Sequence, residues 1–151
     1  MKAYLGIKFH HDNRNRDSIE RISQILAECG FETICVRRDI EQWGATSLSP
    51  RELMIATFDA IRSCQLIIVD VTEKGVGIGI EAGYAYAHSI PVFTIAQAGS
   101  AISTTLEGLS TAVGFYQDSQ SLHECFVQLG LLVEDTEDTD GEGRAVPEAN
   151  L

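Results

Sequence analysis

Residues 66–88 read LIIVDVTEKGVGIGIEAGYAYAH, an apolar run followed by three closely spaced glycines and a stretch of small side chains. Residues 66–69 have the near-continuous apolar character of a strand that is buried on both faces, as in parallel sheets. Residues 79–88 are predicted to form a helix, which places the glycines at a strand-to-helix junction. A strand buried on both faces needs helices above and below it, and this predicts a layered α/β fold.

The rest of the chain alternates between the same two kinds of segment. A helix is predicted between Asp17 as its N-cap and Gly30 as its stop, and Ser49, Pro50 and Glu52 carry the capping pattern of a helix start. Alternating strands and helices imply right-handed parallel crossovers. The sequence therefore predicts a three-layer α/β/α sandwich around a doubly wound, five-stranded parallel sheet, flavodoxin- or Rossmann-like. The further strands are predicted at 2–8, 31–36, 91–95 and 112–116, and the further helices at 50–63, 103–110 and 119–131.

Length and composition narrow the class of protein. The 151 residues, 44% of them apolar, are enough for one globular domain. No apolar run reaches the roughly 18 residues of a membrane-spanning helix, and the N-terminus lacks the zones of a secretory signal. The net charge of −11 disfavours nucleic-acid polymers and anionic membranes, because phosphate backbones require clustered Lys and Arg. A cytoplasmic protein with a small-molecule partner is expected.

Negative charge is concentrated at the C-terminus. Residues 134–151 contain seven acids and a single arginine, and few of their side chains are apolar. Such a segment buries too little apolar surface to offset the entropy of ordering it. The sequence predicts a folded domain over residues 1–133 and an acidic, disordered tail over residues 134–151.

The glycine run fits two kinds of phosphate site. Gly75, Gly77 and Gly79 would let backbone amides approach an anion at the positive end of a helix. Read from Gly77, the run with Ala82 also fits the dinucleotide fingerprint G-x-G-x-x-A. The next predicted strand ends without the Asp or Glu that binds the ribose of such a cofactor. A phosphate cradle or a tight turn is therefore predicted, without a cofactor.

The cysteines and histidines do not form a metal motif. The four cysteines have no CxxC spacing, and the adjacent His10 and His11 lack the i, i+4 spacing of a helical metal site. Reduced thiols and no metal site are predicted.

Glu81 is the candidate for chemistry. It falls in the first turn of the helix predicted over 79–88, where the helix dipole stabilises an anion, and such a placement is common without any function. It is followed by small residues suited to close packing, and it faces the edge of the sheet where ligands bind. An ionised carboxylate held there could attack an electrophilic carbon.

Four segments together resemble the nucleoside 2-deoxyribosyltransferase family over about residues 2–116. They are Tyr4-Leu5-Gly6, Val69-Asp70-Val71, Gly77-Ile78-Gly79-Ile80-Glu81-Ala82-Gly83 and Ile90-Pro91-Val92. Within that family, Arg37-Arg38, Trp43-Gly44-Ala45 and Leu48-Ser49-Pro50 look like the CMP-type nucleotide N-hydrolases. Gly77-Ile78-Gly79-Ile80-Glu81 and Ile102-Ser103 look like the 2'-deoxynucleoside 5'-phosphate N-hydrolases.

The resemblance implies a retaining attack on C1' of a nucleoside or nucleotide, with Glu81 as the nucleophile and water or a second base as the acceptor. The family's second carboxylate, its proton donor, would fall at Thr57. Asp59 lies nearby but turns to another face of the helix. Three possibilities remain for the proton donor. Asp59 takes the role after a local shift, another acid takes it, or no acid does and acid assistance is weak. The other acids considered are Asp39, Glu52 and Asp70.

The resemblance also implies a phosphate site. The amide of Gly75, with Lys74 beside it, and Ser103 from a neighbouring subunit would contact the 5'-phosphate, while Trp43 is a candidate to stack on the base or to anchor its own loop. The full set of predicted substrate-binding residues is Tyr4, Gly6, Lys8, His10, Arg16, Arg38, Trp43, Thr57, Asp70, Gly75, Gly77, Gly79 and Ser103.

The sequence thus favours an N-glycosidase for a nucleoside 5'-monophosphate or deoxynucleoside, assembled as a homodimer or larger. Two alternatives stay open. One is base exchange between deoxynucleosides by a 2-deoxyribosyltransferase. The other is a nucleotide-binding or sensing module without turnover, since Thr57 supplies no carboxyl group.

Overall fold

One sheet of five parallel strands organises the chain. The strands are β1 (Lys2–Ile7), β2 (Glu32–Ile34), β3 (Leu66–Asp70), β4 (Val92–Gln97) and β5 (Ala112–Tyr116), in the spatial order β2-β1-β3-β4-β5. The order reverses direction between β1 and β3, where Gly6 pairs with Val69 and Ile7 with Asp70. In this topology the crevice for a ligand opens at the carboxyl ends of those two strands.

The computed structural model describes the backbone of residues 1–137 and the side chains of residues 1–129. Its helices are α1 (Arg16–Glu28), α2 (Pro50–Arg62), α3 (Val76–Ala87), α4 (Thr104–Leu109) and α5 (Ser119–Glu137). A π-helical turn (Val36–Ile40) and a 3-10 turn (Gln42–Gly44) follow β2. Within residues 1–137, no helix has the length and apolar character needed to cross a membrane.

The sheet is covered on both faces, as predicted. Apolar side chains of α1 and α5, such as Leu26 and Phe126, pack on one face against Leu5 and Ile68. Helices α2, α3 and α4 cover the other face. Since β3 lies at the centre, all five of its residues are buried, which explains its unbroken apolar pattern. The three-layer α/β/α prediction is confirmed.

Helix α2 begins as its sequence predicts. The side chain of Ser49 accepts a hydrogen bond from the backbone N–H of Glu52, and the Glu52 carboxylate accepts one from the backbone N–H of Ser49. This reciprocal capping satisfies two N–H groups at the start of the helix.

Several element boundaries differ from the sequence prediction. Helix α1 begins at Arg16, so Asn15 is its N-cap and Asp17, the predicted N-cap, lies in its first turn. Strand β2 ends at Ile34, because Val36 already belongs to the π-helical turn. Helix α3 begins at Val76, because extended Gly75 serves as its N-cap and the glycines at 77 and 79 are tolerated within the helix at a cost of about 1 kcal/mol each.

Helix α5 extends to Glu137, so residues 134–137 are helical rather than part of the tail. No proline or glycine interrupts the chain between residues 131 and 137, and Leu and Glu there favour a helix. The rest of the predicted tail, residues 138–151, lies outside the described residues.

Prediction from the core: Phe126→Ala should destabilise the protein by about 3–5 kcal/mol, because Phe126 is fully buried between α5 and the sheet and its truncation leaves a cavity. The neighbouring Val127 is exposed, so Val127→Ala should change stability by less than about 0.5 kcal/mol. Urea unfolding of both variants measures the difference. Equal losses would show that α5 does not pack as described.

Candidate active site

Glu81 lines a cavity of about 160 Å³ between β1, α2 and α3. Because α3 begins at Val76, Glu81 lies in its second turn rather than in the first turn expected from the sequence, and the helix dipole acts on it less strongly. Tyr4, Thr57 and Gly77, three of the predicted substrate-binding residues, line the same cavity. Most of the other lining side chains are apolar: Leu5, Ile7, Phe9, Val36, Leu53 and Met54.

The Glu81 side chain is half-buried, and its carboxyl group has little to compensate it. Its Oε2 atom is inaccessible and accepts no hydrogen bond. Burial raises the pKa of Glu81 to about 7, and hydrogen bonding by the adjacent Tyr4 phenol offsets only part of this shift. Among the described residues, no cation lies within ion-pair distance of Glu81. A buried acid of this kind costs stability and is typical of functional sites.

Tyr4 is nearly inaccessible to solvent and lies beside Glu81. Burial, followed by the negative charge of Glu81, raises the pKa of the phenol well above its ordinary value. Tyr4 therefore keeps its proton at neutral pH and acts as a hydrogen-bond donor.

Gly6 makes room for the carboxyl group. A Cβ atom at position 6 would lie 2.6 Å from Oε2 of Glu81 and 3.1 Å from Cγ1 of Val69. No real Cβ tolerates the first of these distances, so the missing side chain of Gly6 is what allows Glu81 to approach β1. Gly6 was predicted from the family pattern as a substrate-binding residue; the structure places it against Glu81.

Arg37 and Glu41 also line the cavity, and neither was selected from the sequence. Arg37 Nη1 lies 3.4 Å from Glu41 Oε1, and both side chains are largely buried. Arg37 also donates through Nε to Asn13 Oδ1 at 2.7 Å and through Nη2 to the His11 carbonyl at 3.3 Å. The pair of adjacent arginines at positions 37 and 38 was the sequence feature that could have indicated this residue. The π-helical turn determines which of the two points into the cavity.

Arg38 turns away from the cavity. Its guanidinium donates to both carboxylate oxygens of Asp39, each at 2.9 Å, and to the Thr33 carbonyl at 2.7 Å. Arg38 therefore stabilises β2 and the π-helical turn, and it does not line the cavity that contains Glu81.

Helix α2 brings no carboxyl group to the cavity. Thr57 is buried and donates its hydroxyl proton to the Leu53 carbonyl at 2.8 Å. Asp59 is exposed and pairs with Arg62. Since two residues rotate a helix by about 200°, Asp59 cannot reach the side that Thr57 occupies.

Asp70 faces the opposite side of the sheet. Its carboxylate accepts hydrogen bonds from the Tyr116 hydroxyl at 2.6 Å and from the Thr72 N–H at 2.8 Å. With Lys8 it lines a separate cavity of about 90 Å³. Lys8 also lies beside the start of α3, because a Cβ atom at Gly75 would be 3.2 Å from Cδ of Lys8. The sheet thus separates Asp70, but not Lys8, from the face that carries Glu81.

His10 lies in the loop after β1, Arg16 is the first residue of α1, and Trp43 lies in the 3-10 turn after β2. The buried His10 contacts Glu73 at 3.1 Å. The Arg16 guanidinium lies 4.6 Å from the centre of the Trp43 ring. The Arg16 guanidinium thus lies over the Trp43 indole, and the indole does not line the Glu81 cavity.

A second cavity, of about 290 Å³, lies between α3 and α4. It brings together Gly75, Gly79 and Ser103, with Lys74 and Thr105 beside them. Helix α3 has no side-chain N-cap, whereas Ser103 caps α4 by accepting the Leu106 N–H at 3.3 Å. The start of α3 therefore contributes to two cavities, one containing Glu81 and one containing small polar groups. Among the residues whose side chains are described, no cluster could hold a metal ion.

Comparison with solved structures reveals the same fold in nucleoside-processing enzymes. No protein-family model and no curated protein sequence matches the chain. CMP N-glycosidase BcmB from Clostridium botulinum is 20% identical with a TM-score of 0.63, over 87% of this chain and 99% of that one. A 2-deoxyribosyltransferase from Bacillus psychrosaccharolyticus is 14% identical with a TM-score of 0.65, over 82% and 90%.

A conserved protein from Enterococcus faecalis V583 is also 14% identical with a TM-score of 0.65, over 85% of this chain and 98% of that one. At these identities the likeness establishes the fold. Two of the proteins that share it, a CMP N-glycosidase and a 2-deoxyribosyltransferase, are of the kinds that the sequence motifs resemble.

Prediction from the buried acid: Glu81→Gln should remove a pH-dependent component of stability. The folded pKa of about 7 lies above the ordinary 4.5, so the folded state holds this proton more tightly than the unfolded chain. The resulting stabilisation is complete below pH 4.5 and is lost as pH rises through 7. Between pH 4.5 and 8.5, wild type should lose up to about 3 kcal/mol relative to the variant. Urea unfolding at the two pH values tests this, and parallel pH profiles would contradict it.

Prediction from the close approach: Gly6→Ala should displace the Glu81 carboxyl group, because the new methyl group occupies its position and the end of the Glu81 side chain can move. The folded pKa should fall towards its ordinary value, so at least half of the pH-dependent stability difference should disappear. Gly83→Ala in α3 is the matched control, since its Cβ meets open space. A pH dependence unchanged in Gly6→Ala would contradict the described position of Glu81.

Proposed function

We propose that this protein is an N-glycosidase that hydrolyses the N-glycosidic bond of a nucleoside 5'-monophosphate or deoxynucleoside, with Glu81 as nucleophile. The observation that carries the proposal is Glu81 itself, which lines a cavity beside the switch point of the sheet, has no cation within ion-pair distance among the described residues, and has its pKa raised to about 7 by burial. A CMP N-glycosidase and a 2-deoxyribosyltransferase share the fold, and they support this class of substrate.

The first step forms a glycosyl ester. The ionised Glu81 carboxylate attacks C1', the C1'–N bond breaks, and its electron pair leaves with the base, which takes up a proton from solvent water. The largely apolar wall of the cavity limits solvation of the attacking oxygen. Because the pKa of Glu81 is about 7, the reactive anion is only partly populated at neutral pH.

The second step releases the sugar. Water attacks C1' from the face that the base has left, the bond between C1' and the Glu81 oxygen breaks, and the carboxylate is regenerated. Two displacements at one carbon retain its configuration. Neither step requires a cofactor or a metal ion.

The 5'-phosphate is assigned to the cavity between α3 and α4. Its wall contains the small residues Gly75 and Gly79, the hydroxyl-bearing Ser103 and Thr105, and the cation of Lys74. The uncapped start of α3 adds backbone N–H groups and a positive dipole. The Glu81 cavity alone is smaller than the roughly 300–1,000 Å³ of ordinary ligand pockets, so it would enclose only part of a nucleotide.

A homodimer or larger assembly belongs to the same proposal. Ser103 was expected to complete the phosphate site of a neighbouring subunit, whereas in the structure it lines the cavity of its own chain beside Gly75 and Gly79. Apolar side chains on α2 and α3 support an interface: Ile55 is 52% exposed, Val76 84% and Ile80 47%. Exposed apolar groups of this size at neighbouring helices are typical of association surfaces.

Base exchange between deoxynucleosides is the second candidate. The deoxyribosyltransferase neighbour supports it, and the same glycosyl ester would serve both reactions. The acceptor decides between them: water yields the free sugar, whereas a second base yields a new nucleoside.

Prediction from the proposed chemistry: wild type should release free base from at least one member of a panel of ribo- and deoxyribonucleoside 5'-monophosphates and deoxynucleosides, measured by liquid chromatography. Glu81→Gln should lower kcat/KM at least about 10³-fold, because the nucleophile is lost. The wild-type kcat/KM should rise with pH through about 7, as Glu81 ionises.

Glu124→Gln, at an exposed position of α5, should leave the rate unchanged. Adding a second free base distinguishes a transferase from a hydrolase by the new nucleoside. Tight nucleotide binding without base release, unchanged in Glu81→Gln, would contradict both enzymes and favour a sensing module.

A further inference from the structure

A second carboxylate shares the cavity with Glu81. Glu41, which follows the π-helical turn after β2, contributes to the wall of the same 160 Å³ cavity, and its side chain is only 15% exposed. Helix α2, where the family pattern places the second acid, offers only the hydroxyl of Thr57 at this wall. A retaining glycosidase uses two carboxyl groups that flank the reacting carbon.

The other titratable groups of the cavity wall cannot accept a proton at neutral pH. Burial raises the pKa of the Cys35 thiol to about 11, and that of the Tyr4 phenol well above its ordinary value, so both remain protonated. Arg37 has no acceptor atom. Among the described residues that line the cavity, Glu41 is thus the carboxylate available besides Glu81.

The chain holds Glu41 in a defined position. Its backbone N–H donates to the Val36 carbonyl at 2.9 Å, which closes the π-helical turn. The next two residues, Gln42 and Trp43, have positive φ values of 47° and 59°. Such left-handed backbone is costly for residues other than glycine and clusters at functional sites, as do π-helical turns.

The charge of Glu41 is also held in place. Arg37 lies 3.4 Å from Oε1 of Glu41 and is anchored by Asn13 and His11. A Cβ atom at Gly44 would lie 3.1 Å from Nη2 of Arg37, so glycine at that position leaves room for the guanidinium. The guanidinium thus fixes the position of the Glu41 carboxylate in the cavity wall.

We propose that Glu41 is the general base of the second step; this rests on the proposed N-glycosidase function. As the water oxygen bonds to C1', one water proton passes to the Glu41 carboxylate. The bond between C1' and the Glu81 oxygen breaks, and its electron pair returns to Glu81. The released sugar keeps the second water proton as its hydroxyl hydrogen, and Glu41 afterwards loses its proton to solvent. Atoms and charge balance without a further reactant.

The test is the Glu41→Gln variant in rapid-quench kinetics, with the nucleotide that wild type cleaves fastest in the panel. Glutamine retains the size of the side chain but cannot accept the proton. We expect a burst of about one free base per active site, followed by turnover at least about 10²-fold slower than wild type. Azide, which needs no general base, should restore turnover and give a glycosyl azide of retained configuration.

Two control variants accompany it. Glu124→Gln, an exposed acid on α5, should retain wild-type kinetics. Glu41→Asp keeps the carboxylate and should turn over faster than Glu41→Gln. If Glu41→Gln fails to fold, the turnover of Glu41→Asp tests the general-base role instead. Circular dichroism compares the fold of each variant with that of wild type.

Several outcomes overturn the inference. Glu41→Gln turnover within about threefold of wild type would show that no proton acceptor was lost. Loss of the burst would place Glu41 in the first step instead. Failure of azide to restore turnover of a folded variant would likewise remove the general-base role. A wild-type protein that releases no base would overturn the proposed function itself, and with it the role of Glu41.

Discussion

The approach of the Glu81 carboxyl group to the backbone of Gly6 is the constraint around which the site is built. A side chain of any size at position 6 would occupy the space of Oε2. The carboxyl group is thereby held against the central sheet, with Oε2 inaccessible to water and no cation within ion-pair distance among the described residues. An acid in such surroundings lowers the stability of the fold above neutral pH, so packing alone does not explain its presence.

The topology of the sheet places that contact where a ligand can reach it. Strands β1 and β3 are neighbours, and the connections that follow them run to opposite faces. Glu81 and Thr57 consequently meet on the face covered by α2 and α3, while Asp70 turns to the other face and bonds to Tyr116. The carboxyl ends of the strands collect polar groups, and the sheet divides them into separate sites.

Several side chains chosen from the sequence are engaged by other partners, some of them close in sequence and some distant. Arg38 is bound by Thr33 and Asp39, while Arg37, one position earlier, is buried beside Glu41. Trp43 is covered by Arg16, which lies 27 positions away in sequence. A motif specifies which residue types are present, but the direction of each side chain depends on the turn that carries it.

Local patterns by themselves determined the layered α/β fold, the capped start of α2 and the choice of Glu81 as the candidate acid. The fold and the helix start follow from apolar periodicity and capping chemistry, which act over a few residues. Glu81 was chosen for its position after the glycine run and for the family resemblance. The start of α3 at Val76 was missed, because the glycines that suggested a turn are accommodated within the helix. Only the tertiary structure decided that Gly6 makes room for Glu81 and that Glu41 joins it in one cavity. Those contacts connect strands, helices and turns far apart in the chain, and their distances depend on how the layers pack.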